Sequence, residues 1–416
     1  MRRKCLLGRH GRGRLLVAVT AGLIAAAVAA CGSSSANSGT SASAIKIGVA
    51  TVVIPGTYDA QSMYNPAVKA ALGYIQEHGG WGGQQVTTVN CVSAGTPAAD
   101  TTCYRQFISQ KVTAVIGILP QQASIGYPLM SKAGIPSFMI GASHEDDLSP
   151  WENEISGSAA AGFTSAARYA CSTGAKTVSV LRDDIASAQE SYSLYAAGIL
   201  RACGIQVSSV AAVPYGAADL ATYVTKAVST HPDMLIALAT ASGTAEVDAI
   251  ASAGYPASKV ISPSNPTQQF LADPATNGVI LTTGWQFPVP QNSNVQNQAY
   301  LQAMKKYSPG ADPGAQLSFP AFQAVLTIWD AAKAIGFAKV TGTGIQNYMN
   351  NQASGHLQIF GGPPTTVQKM PGSPGNKQPY VDLSRWQNGK PVDLGWWQAG
   401  AGCTSQASCT EGHVSG

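Results

Sequence analysis

The stretch VTAVIGILPQQASIGYPLMSKAGIPSFMIGAS, which runs from Val112 to Ser143, predicts a strand, a loop, a helix and a second strand. Its first part, residues 112–118, is short, apolar and rich in β-branched residues, which is typical of a strand covered on both faces. Residues 120–133 are compatible with a helix, and residues 135–140 form the next apolar run. Because two parallel strands need such a crossover, the stretch predicts one βαβ unit of a parallel sheet.

Two loops leave the carboxyl ends of these strands, LPQQAS at residues 119–124 and GASHEDD at residues 141–147. In open α/β sheets, ligands bind in the crevice beyond the carboxyl ends of the strands. The polar residues nearest the strand ends are small or neutral, and acidic residues begin only at Glu145. We therefore expect a ligand site here, with uncharged groups closest to the sheet.

The same alternation of strands and helices continues on both sides of this unit. One helix is predicted to begin at Asn65-Pro66 and another at Thr96-Pro97, because Asn or Thr can cap a helix whose first residue is Pro. Near the C-terminus, Asn388-Gly389 between two apolar runs predicts a two-residue β-hairpin. The further predicted strands are residues 45–54, 85–92, 176–181, 205–213, 233–239, 259–263 and 278–283. The further predicted helices are residues 157–173, 192–203, 220–227, 244–253, 298–307 and 320–337.

Composition indicates a globular chain that does not bind nucleic acid. The 416 residues are 45% apolar and 11% charged, which suits two or three domains' worth of core. The formal charge of +4 comes from residues 1–30, which hold six of the 25 Lys and Arg residues and none of the 21 acidic ones. The remainder carries 19 basic against 21 acidic residues, a net charge of −2. No basic surface is expected, so nucleic acid is excluded as a partner.

The N-terminus has the pattern of an export signal. A basic segment precedes residues 15–30, which are 16 uncharged residues, fewer than the ~20 of a membrane span. The following Cys31 resembles the lipobox cysteine of bacterial lipoproteins, which is diacylated after cleavage; the alternative is an ordinary signal peptide with a chance cysteine. Residues 32–44 are rich in Ser, Gly and Ala, as is typical of a flexible tether. We expect a signal peptide at 1–30 and a lipid anchor on the outer face of the cell membrane.

The remaining cysteines also suit an oxidising compartment. Six of them allow 15 pairings, and we favour sequence neighbours because a disulfide spans a short distance. The sequence has no CxxC motif, and its few histidines are not at ligand spacing, so no metal and no cofactor are expected. The favoured pairs are Cys91 with Cys103, Cys171 with Cys203, and Cys403 with Cys409.

Several of these segments together resemble the type I extracytoplasmic solute-binding lipoproteins of ABC importers, the class that includes leucine/isoleucine/valine-binding proteins. The resemblance covers Ile45 to Trp397 and rests on the order and spacing of IKIGV, EHGGWGGQQV, KVTAVIGI, KAGIPSF, KTVSVLRDD, HPDMLIALA and ASAGYP. It implies the type I periplasmic-binding-protein fold, two doubly wound α/β lobes joined by a three-segment hinge. The solute would bind in the cleft between the lobes. We expect the N-terminal lobe at residues 45–160 plus 287–345, and the C-terminal lobe at residues 161–286 plus 346–416.

The resemblance also implies site residues. In amino-acid binders of the family, two loops of the first lobe hold the solute carboxylate, and these positions match Gln121, Gln122, Ala123, Ala142 and Ser143. Gln122 stands where a Ser is usual. The second lobe is expected to contribute Ser187, Thr240, Ser242 and Asn265.

The second lobe departs from the family pattern in two ways. The aromatic residue usual near Ser187 is absent, and no acid lies near Asn265 to pair with a solute ammonium group. The nearest acids are Asp183 and Asp184 or the run 145–147, and they could equally be a solvated loop. We therefore expect a neutral or singly anionic solute, such as an amino acid or a related amide or carboxylate, and a standard branched-chain amino acid is in doubt.

The sequence favours binding over catalysis. It contains no GxSxG, HExxH, GxxxxGK[ST] or strand-linked GxGxxG motif, so a secreted hydrolase is not indicated. Gln122 and Ser143 could also serve only as helix caps. A monomeric receptor that delivers solute to an ABC permease is the preferred hypothesis. A lipoprotein that reports the solute to a membrane receptor would have the same fold and is the alternative.

Overall fold

The structure is a computed structural model that describes thirteen stretches of the chain. They are residues 44–55, 58–119, 123–139, 149–155, 159–239, 242–262, 268–283, 295–315, 317–351, 380–398, 403, 405–410 and 413–414. The predicted signal peptide, Cys31 and the tether up to residue 43 lie outside these stretches. Within them, no helix combines the length and the apolar character that crossing a membrane requires.

Thirteen strands and thirteen α-helices are described. The strands are β1 Ile45–Ile54, β2 Tyr58–Asp59, β3 Val86–Ser93, β4 Ala114–Gly117, β5 Ser137–Met139, β6 Thr177–Asp183, β7 Gln206–Val213, β8 Met234–Leu238, β9 Val260–Ser262, β10 Ile280–Thr283, β11 Tyr380–Gln387, β12 Lys390–Gln398 and β13 His413–Val414. The helices are α1 Ala60–Glu77, α2 Pro97–Ser109, α3 Ala123–Lys132, α4 Ala159–Ser172, α5 Ala186–Ser191, α6 Ala197–Ala202, α7 Ala221–Val228, α8 Thr244–Ser252, α9 Gln268–Ala272, α10 Val295–Tyr307, α11 Ser318–Ile335, α12 Gly342–Asn351 and α13 Gln406–Thr410. A π-helical turn, Tyr192–Ala196, joins α5 to α6.

The first lobe is a parallel sheet covered on both faces. Strands β3 and β4 flank β1 in parallel, β5 pairs with β4, and the short β2 runs antiparallel to the end of β1. On one face, α1, α10, α11 and α12 form a core that includes Tyr64, Tyr300 and Phe322. On the other face, α2 and α3 bury Phe107 and Tyr127. This covering explains why β1, β4 and β5, which are buried along most of their lengths, are mainly apolar.

The second lobe repeats the arrangement with a larger sheet. Its strand order is β13-β12-β11-β10-β9-β8-β6-β7, in which β6 to β10 are parallel and the C-terminal hairpin adds antiparallel strands. Helices α4 to α6 and α13 pack on one face, and α7 to α9 pack on the other. Both lobes are therefore doubly wound, as the sequence predicts.

The hairpin turn and the disulfides also follow the sequence. Asn388 and Gly389 have φ of 53° and 74°, the positive pair that a type I′ turn requires. The structure forms the three favoured cysteine pairs: Cys91–Cys103 links β3 to α2, Cys171–Cys203 links α4 to the residue after α6, and Cys403–Cys409 holds α13.

Two sequence predictions are wrong in detail. Helix α1 begins at Ala60, and not at Asn65-Pro66, because Asp59 caps it by accepting a hydrogen bond of 3.0 Å from the backbone N–H of Ser62. Pro66 then lies inside the helix. The first lobe also extends beyond residue 345, because Tyr348 and Met349 of α12 are buried in its core.

Candidate functional site

The first lobe's candidate edge lies where β1 and β4 end side by side. Gly117, the last residue of β4, has a φ of 132°, and a Cβ there would overlap the carbonyl oxygen of Ala50 in β1. Only glycine fits this close approach, which Ile118 continues by donating its N–H to Ala50 O at 3.1 Å. Helix α3 starts at Ala123, shortly after this edge, with its N-terminus at the carboxyl end of the sheet.

Tyr58 belongs to the same edge. It is half-buried on β2, opposite Ile54 at the end of β1. Burial raises the pKa of the Tyr58 phenol far above its ordinary value, and the charge of Asp183 in the second lobe raises it further. Tyr58 therefore stays a neutral phenol and lies near a carboxyl group of the opposite lobe.

Asp183 is the last residue of β6 and is 3% exposed, whereas the side chain of its neighbour Asp184 is 65% exposed. The side chain of the preceding Arg182 is held by two hydrogen bonds. Its Nη1 donates to Asp183 O at 2.8 Å, and its Nη2 donates to Gln189 on α5. Burial lowers the pKa of Arg182, against the opposing effect of Asp184, Tyr192 and Asp183.

Tyr215 completes the group from the loop after β7. Burial raises the pKa of its phenol well above the ordinary value, and Tyr58, Asp183 and Asp100 add to the rise in that order. Asp100, in the first turn of α2, is fully buried and accepts a hydrogen bond from Ser93. Two phenols and a buried carboxyl group, from two lobes, thus lie at or just beyond the carboxyl ends of β1, β6 and β7, where the charge of Asp183 affects both phenols.

A second buried acid lies behind this group, at the end of β8. Glu246, in the first turn of α8, is 1% exposed and accepts a hydrogen bond of 2.7 Å from the N–H of Ala239. Burial raises the pKa of Glu246 to about 8, Ala239 opposes the rise, and Asp183 adds to it. The carboxyl group is therefore mostly protonated at neutral pH.

Ser242 is the predicted site residue whose side chain the structure describes. It lies in the turn between β8 and α8, and its buried Oγ has no hydrogen-bond partner within the described stretches. A buried hydroxyl without a partner costs free energy, so a ligand group that bonded to it would recover that cost.

Two other predicted site residues lie at the starts of helices. The backbone places Ala123 at the first position of α3 and Ser187 at the second position of α5. The rest lie outside the described residues: Gln121, Gln122, Ala142, Ser143, Thr240 and Asn265. The acidic run at residues 145–147 lies outside them too.

Sequence reasoning missed Tyr58, Tyr215 and Glu246. Tyr58 lies on the short β2 shortly after β1, and Tyr215 lies in the loop after β7, so the rule that ligands bind beyond strand ends could have selected both. Glu246 had a weaker signal, an acid near the start of a predicted helix, which usually only complements the helix dipole. Among the described residues, the acids at this edge do not form a group spaced to hold a metal ion.

Solved structures with the same architecture are solute receptors. A solute-binding protein of an ABC transporter from Rhodopseudomonas palustris, in complex with 3,4-dihydroxybenzoic acid, is 17% identical with a TM-score of 0.68, over 86% of this chain and 98% of that one. Another from R. palustris, in complex with benzoate, is 20% identical with a TM-score of 0.65, over 88% and 98%. A leucine-binding protein from Thermotoga maritima is 16% identical with a TM-score of 0.65, over 85% and 98%.

These identities establish the fold alone, and the family rests on a separate comparison. No curated protein matches the chain significantly. The family model of the periplasmic binding proteins matches residues 44–370, which include the described elements of the first lobe, the elements of the second lobe from α4 to β10, and the candidate edge of each lobe. The chain therefore belongs to the periplasmic binding protein family.

Proposed function

We propose that this protein binds a small extracellular solute between its lobes and delivers it to the permease of an ABC transporter. The observation that carries the proposal is the meeting of Tyr58, Asp183 and Tyr215 at the carboxyl ends of strands from both lobes. Ligands of open α/β sheets bind at such ends, and closure of two lobes around a ligand is a common hinge motion. Membership of a solute-binding family supports the same role.

The solute we propose is an amino acid or a related amide, bound in two halves. In the first lobe, the N-terminus of α3 and the loops containing Gln121, Gln122 and Ser143 would hold a carboxylate, because helix N-termini and N–H groups favour anions. In the second lobe, Asp183 would accept hydrogen bonds from an ammonium or amide group. The proposal thus adds this acid to the uncharged residues that the sequence predicts.

The acid also distinguishes this proposal from an aromatic acid as solute. The R. palustris relatives bind benzoates, and the Thermotoga protein is a leucine-binding protein. A benzoate brings one negative charge and no donor for a carboxylate, so placing it beside buried Asp183 adds an unfavourable charge interaction. A zwitterion offers each lobe a group of the required charge. Tyr58 and Tyr215, as neutral phenols, would donate hydrogen bonds and contact apolar parts of the solute.

The proposal includes location and partners. Cleavage before Cys31 and diacylation of its sulfur would anchor the chain as a monomer outside the cell membrane, with residues 32–44 as the tether. Two acyl chains give stable attachment, whereas one chain gives marginal attachment. The role is binding without catalysis.

A calorimetric screen of residues 44–416 tests the proposal. The panel comprises leucine, glutamine, other neutral amino acids, benzoate and 4-hydroxybenzoate, and we expect an amino acid or amide to bind and raise the melting temperature. The variant Asp183→Asn should weaken that binding about tenfold to a hundredfold, because a hydrogen bond to a charged group is worth about 1.5–3 kcal/mol.

Asp184→Asn is the matched control, since it makes the same change one residue away on an exposed side chain. It should leave the affinity unaltered. Tight binding of benzoate with equal affinity in both variants would refute the amino-acid assignment. If no solute in the panel bound to the protein, the receptor function would be refuted.

A further inference from the structure

We propose that Cys171, Cys203, Cys403 and Cys409 form one thiol–disulfide exchange centre, in which Cys409 can transfer from Cys403 to Cys171. The centre lies in the second lobe, where α13 packs against α4 and α6. It is independent of the solute site.

The sulfur atoms of two separate disulfides meet there. Cys171 and Cys203 form one disulfide, and Cys409 belongs to the other, yet the Sγ atoms of these three residues all lie within 4.8 Å of one another. Exchange requires attack of a thiolate on a disulfide sulfur, so a sulfur already at this distance needs little movement to react. Cys171 is 1% exposed and Cys409 is 0% exposed, which shields the new bond from competing thiols.

A cation lies beside the backbone of Cys409. Arg168 lies one turn before Cys171 on α4, is 5% exposed, and donates from Nη1 to the carbonyl oxygen of Cys409 at 2.9 Å. The same nitrogen is 3.4 Å from the carbonyl oxygen of Ser408, and Arg168 Nε has no hydrogen-bond partner within the described stretches. A guanidinium group beside a cysteine favours its thiolate, the nucleophile in exchange.

The order of opening follows from ring size and exposure. The Cys403–Cys409 disulfide joins residues 6 apart in sequence, whereas Cys171–Cys203 joins residues 32 apart. The smaller ring restricts the unfolded chain less, so its disulfide stabilises the folded state less. Cys403 is also partly exposed. A low-molecular-weight thiol can therefore reach the Cys403 sulfur, where it forms a mixed disulfide and releases Cys409 as a thiolate.

The second step needs no further reactant. The Cys409 thiolate attacks the Cys171 sulfur, the Cys171–Cys409 bond forms and the Cys171–Cys203 bond breaks. Cys203 leaves as a thiolate and takes a proton from solvent. The number of disulfides is unchanged by this step, and α13 becomes bonded directly to α4.

Two variants test the step without an external thiol. Cys403→Ser leaves a Cys409 thiol beside the intact Cys171–Cys203 bond, and Cys203→Ser leaves a Cys171 thiol beside the intact Cys403–Cys409 bond. Each is folded under oxidising conditions, purified as a monomer, acid-quenched, alkylated and digested without reduction. We expect the same Cys171–Cys409 peptide in both, in on the order of a tenth or more of the molecules.

The control is Cys91→Ser, which frees the buried Cys103 in the first lobe. It should retain Cys171–Cys203 and Cys403–Cys409 and, among the cysteines of the three disulfides, carry an alkyl group only on Cys103. Failure to find the Cys171–Cys409 peptide in whichever variant folds would overturn the proposal. Equal scrambling in the Cys91→Ser control would overturn it too, because exchange would then not depend on this centre.

Discussion

At the scale of single residues, two buried acids in the second lobe have unusual protonation. Burial raises the pKa of Glu246 to about 8, and it raises the pKa of Asp382 on β11 to about 8 as well. Asp382 is 1% exposed and accepts a hydrogen bond of 2.9 Å from Ser384 Oγ. In the unfolded chain both groups ionise at their ordinary, much lower pH. Between the unfolded and the folded pKa values of these two acids, the folded state therefore binds more protons than the unfolded state.

This difference predicts a stability that declines as pH rises. The contribution of the two acids is fully present below the unfolded pKa values, near 4, and is lost as pH rises through about 8. Glu246→Gln keeps the oxygen that accepts from Ala239 but cannot ionise. We expect the free energy of unfolding of this variant, measured in urea at pH 5, 6, 7 and 8, to fall less steeply than that of the unmodified protein. The exposed-site variant Asp184→Asn should follow the unmodified protein, and identical slopes for all three would contradict the assignment.

At the scale of elements, the sequence predicts most of the strands and helices because their signals are local. Apolar β-branched runs mark the strands, Thr96-Pro97 caps α2, and Asn388-Gly389 sets the hairpin. The predicted start of α1 is wrong because Asp59 and Asn65 are both possible caps. Asp59 is the one whose side chain accepts a hydrogen bond from a backbone N–H. At the candidate site, the loops at strand ends could be predicted and Asp183 was among the acids considered. The proximity of Tyr58 and Tyr215 to it depends on how two lobes meet, which no local pattern contains.

The substitution of Gly by Ala should change the free energy of unfolding in opposite directions at two positions. Gly389, in the hairpin turn, has a φ of 74°, so Gly389→Ala should lower the free energy of unfolding by about 1 kcal/mol although the added Cβ meets no atom within 4 Å. Gly198 is exposed on α6 with equal room for a Cβ, so Gly198→Ala should raise it by about 0.5–1 kcal/mol. Urea denaturation measures both. A shift of the same sign in both variants would contradict the assignment of these effects to backbone conformation.

At the scale of the whole molecule, successive elements of the described stretches change from one lobe to the other three times. Each change of lobe falls between two described residues whose elements pack in different cores. These pairs of residues are 155 and 159, 283 and 295, and 351 and 380. The number agrees with the three-segment hinge implied by the sequence. Residues far apart in sequence therefore build each lobe, and the proposed solute site depends on both.

The proposed anchor predicts where the whole molecule resides. Cys31→Ala removes the sulfur that would carry the acyl chains, so the variant should leave the membrane fraction and be recovered in the soluble extracytoplasmic fraction. Fractionation followed by immunoblotting measures the distribution, and Cys5→Ala serves as a control that leaves the proposed lipidation site intact. A variant at Cys31 that stays with the membrane would show that attachment has another cause.

The placement of the disulfides has a mechanical consequence. Each of the three cross-links joins residues of a single lobe, two in the second and one in the first. Oxidation thus stiffens each lobe as a body while adding no tie across the hinge. A rotation of one lobe against the other changes no ring size and strains no cross-link. The disulfides therefore oppose neither opening nor closing of the lobes. The equilibrium between the open and closed arrangements depends on the noncovalent interactions at the cleft.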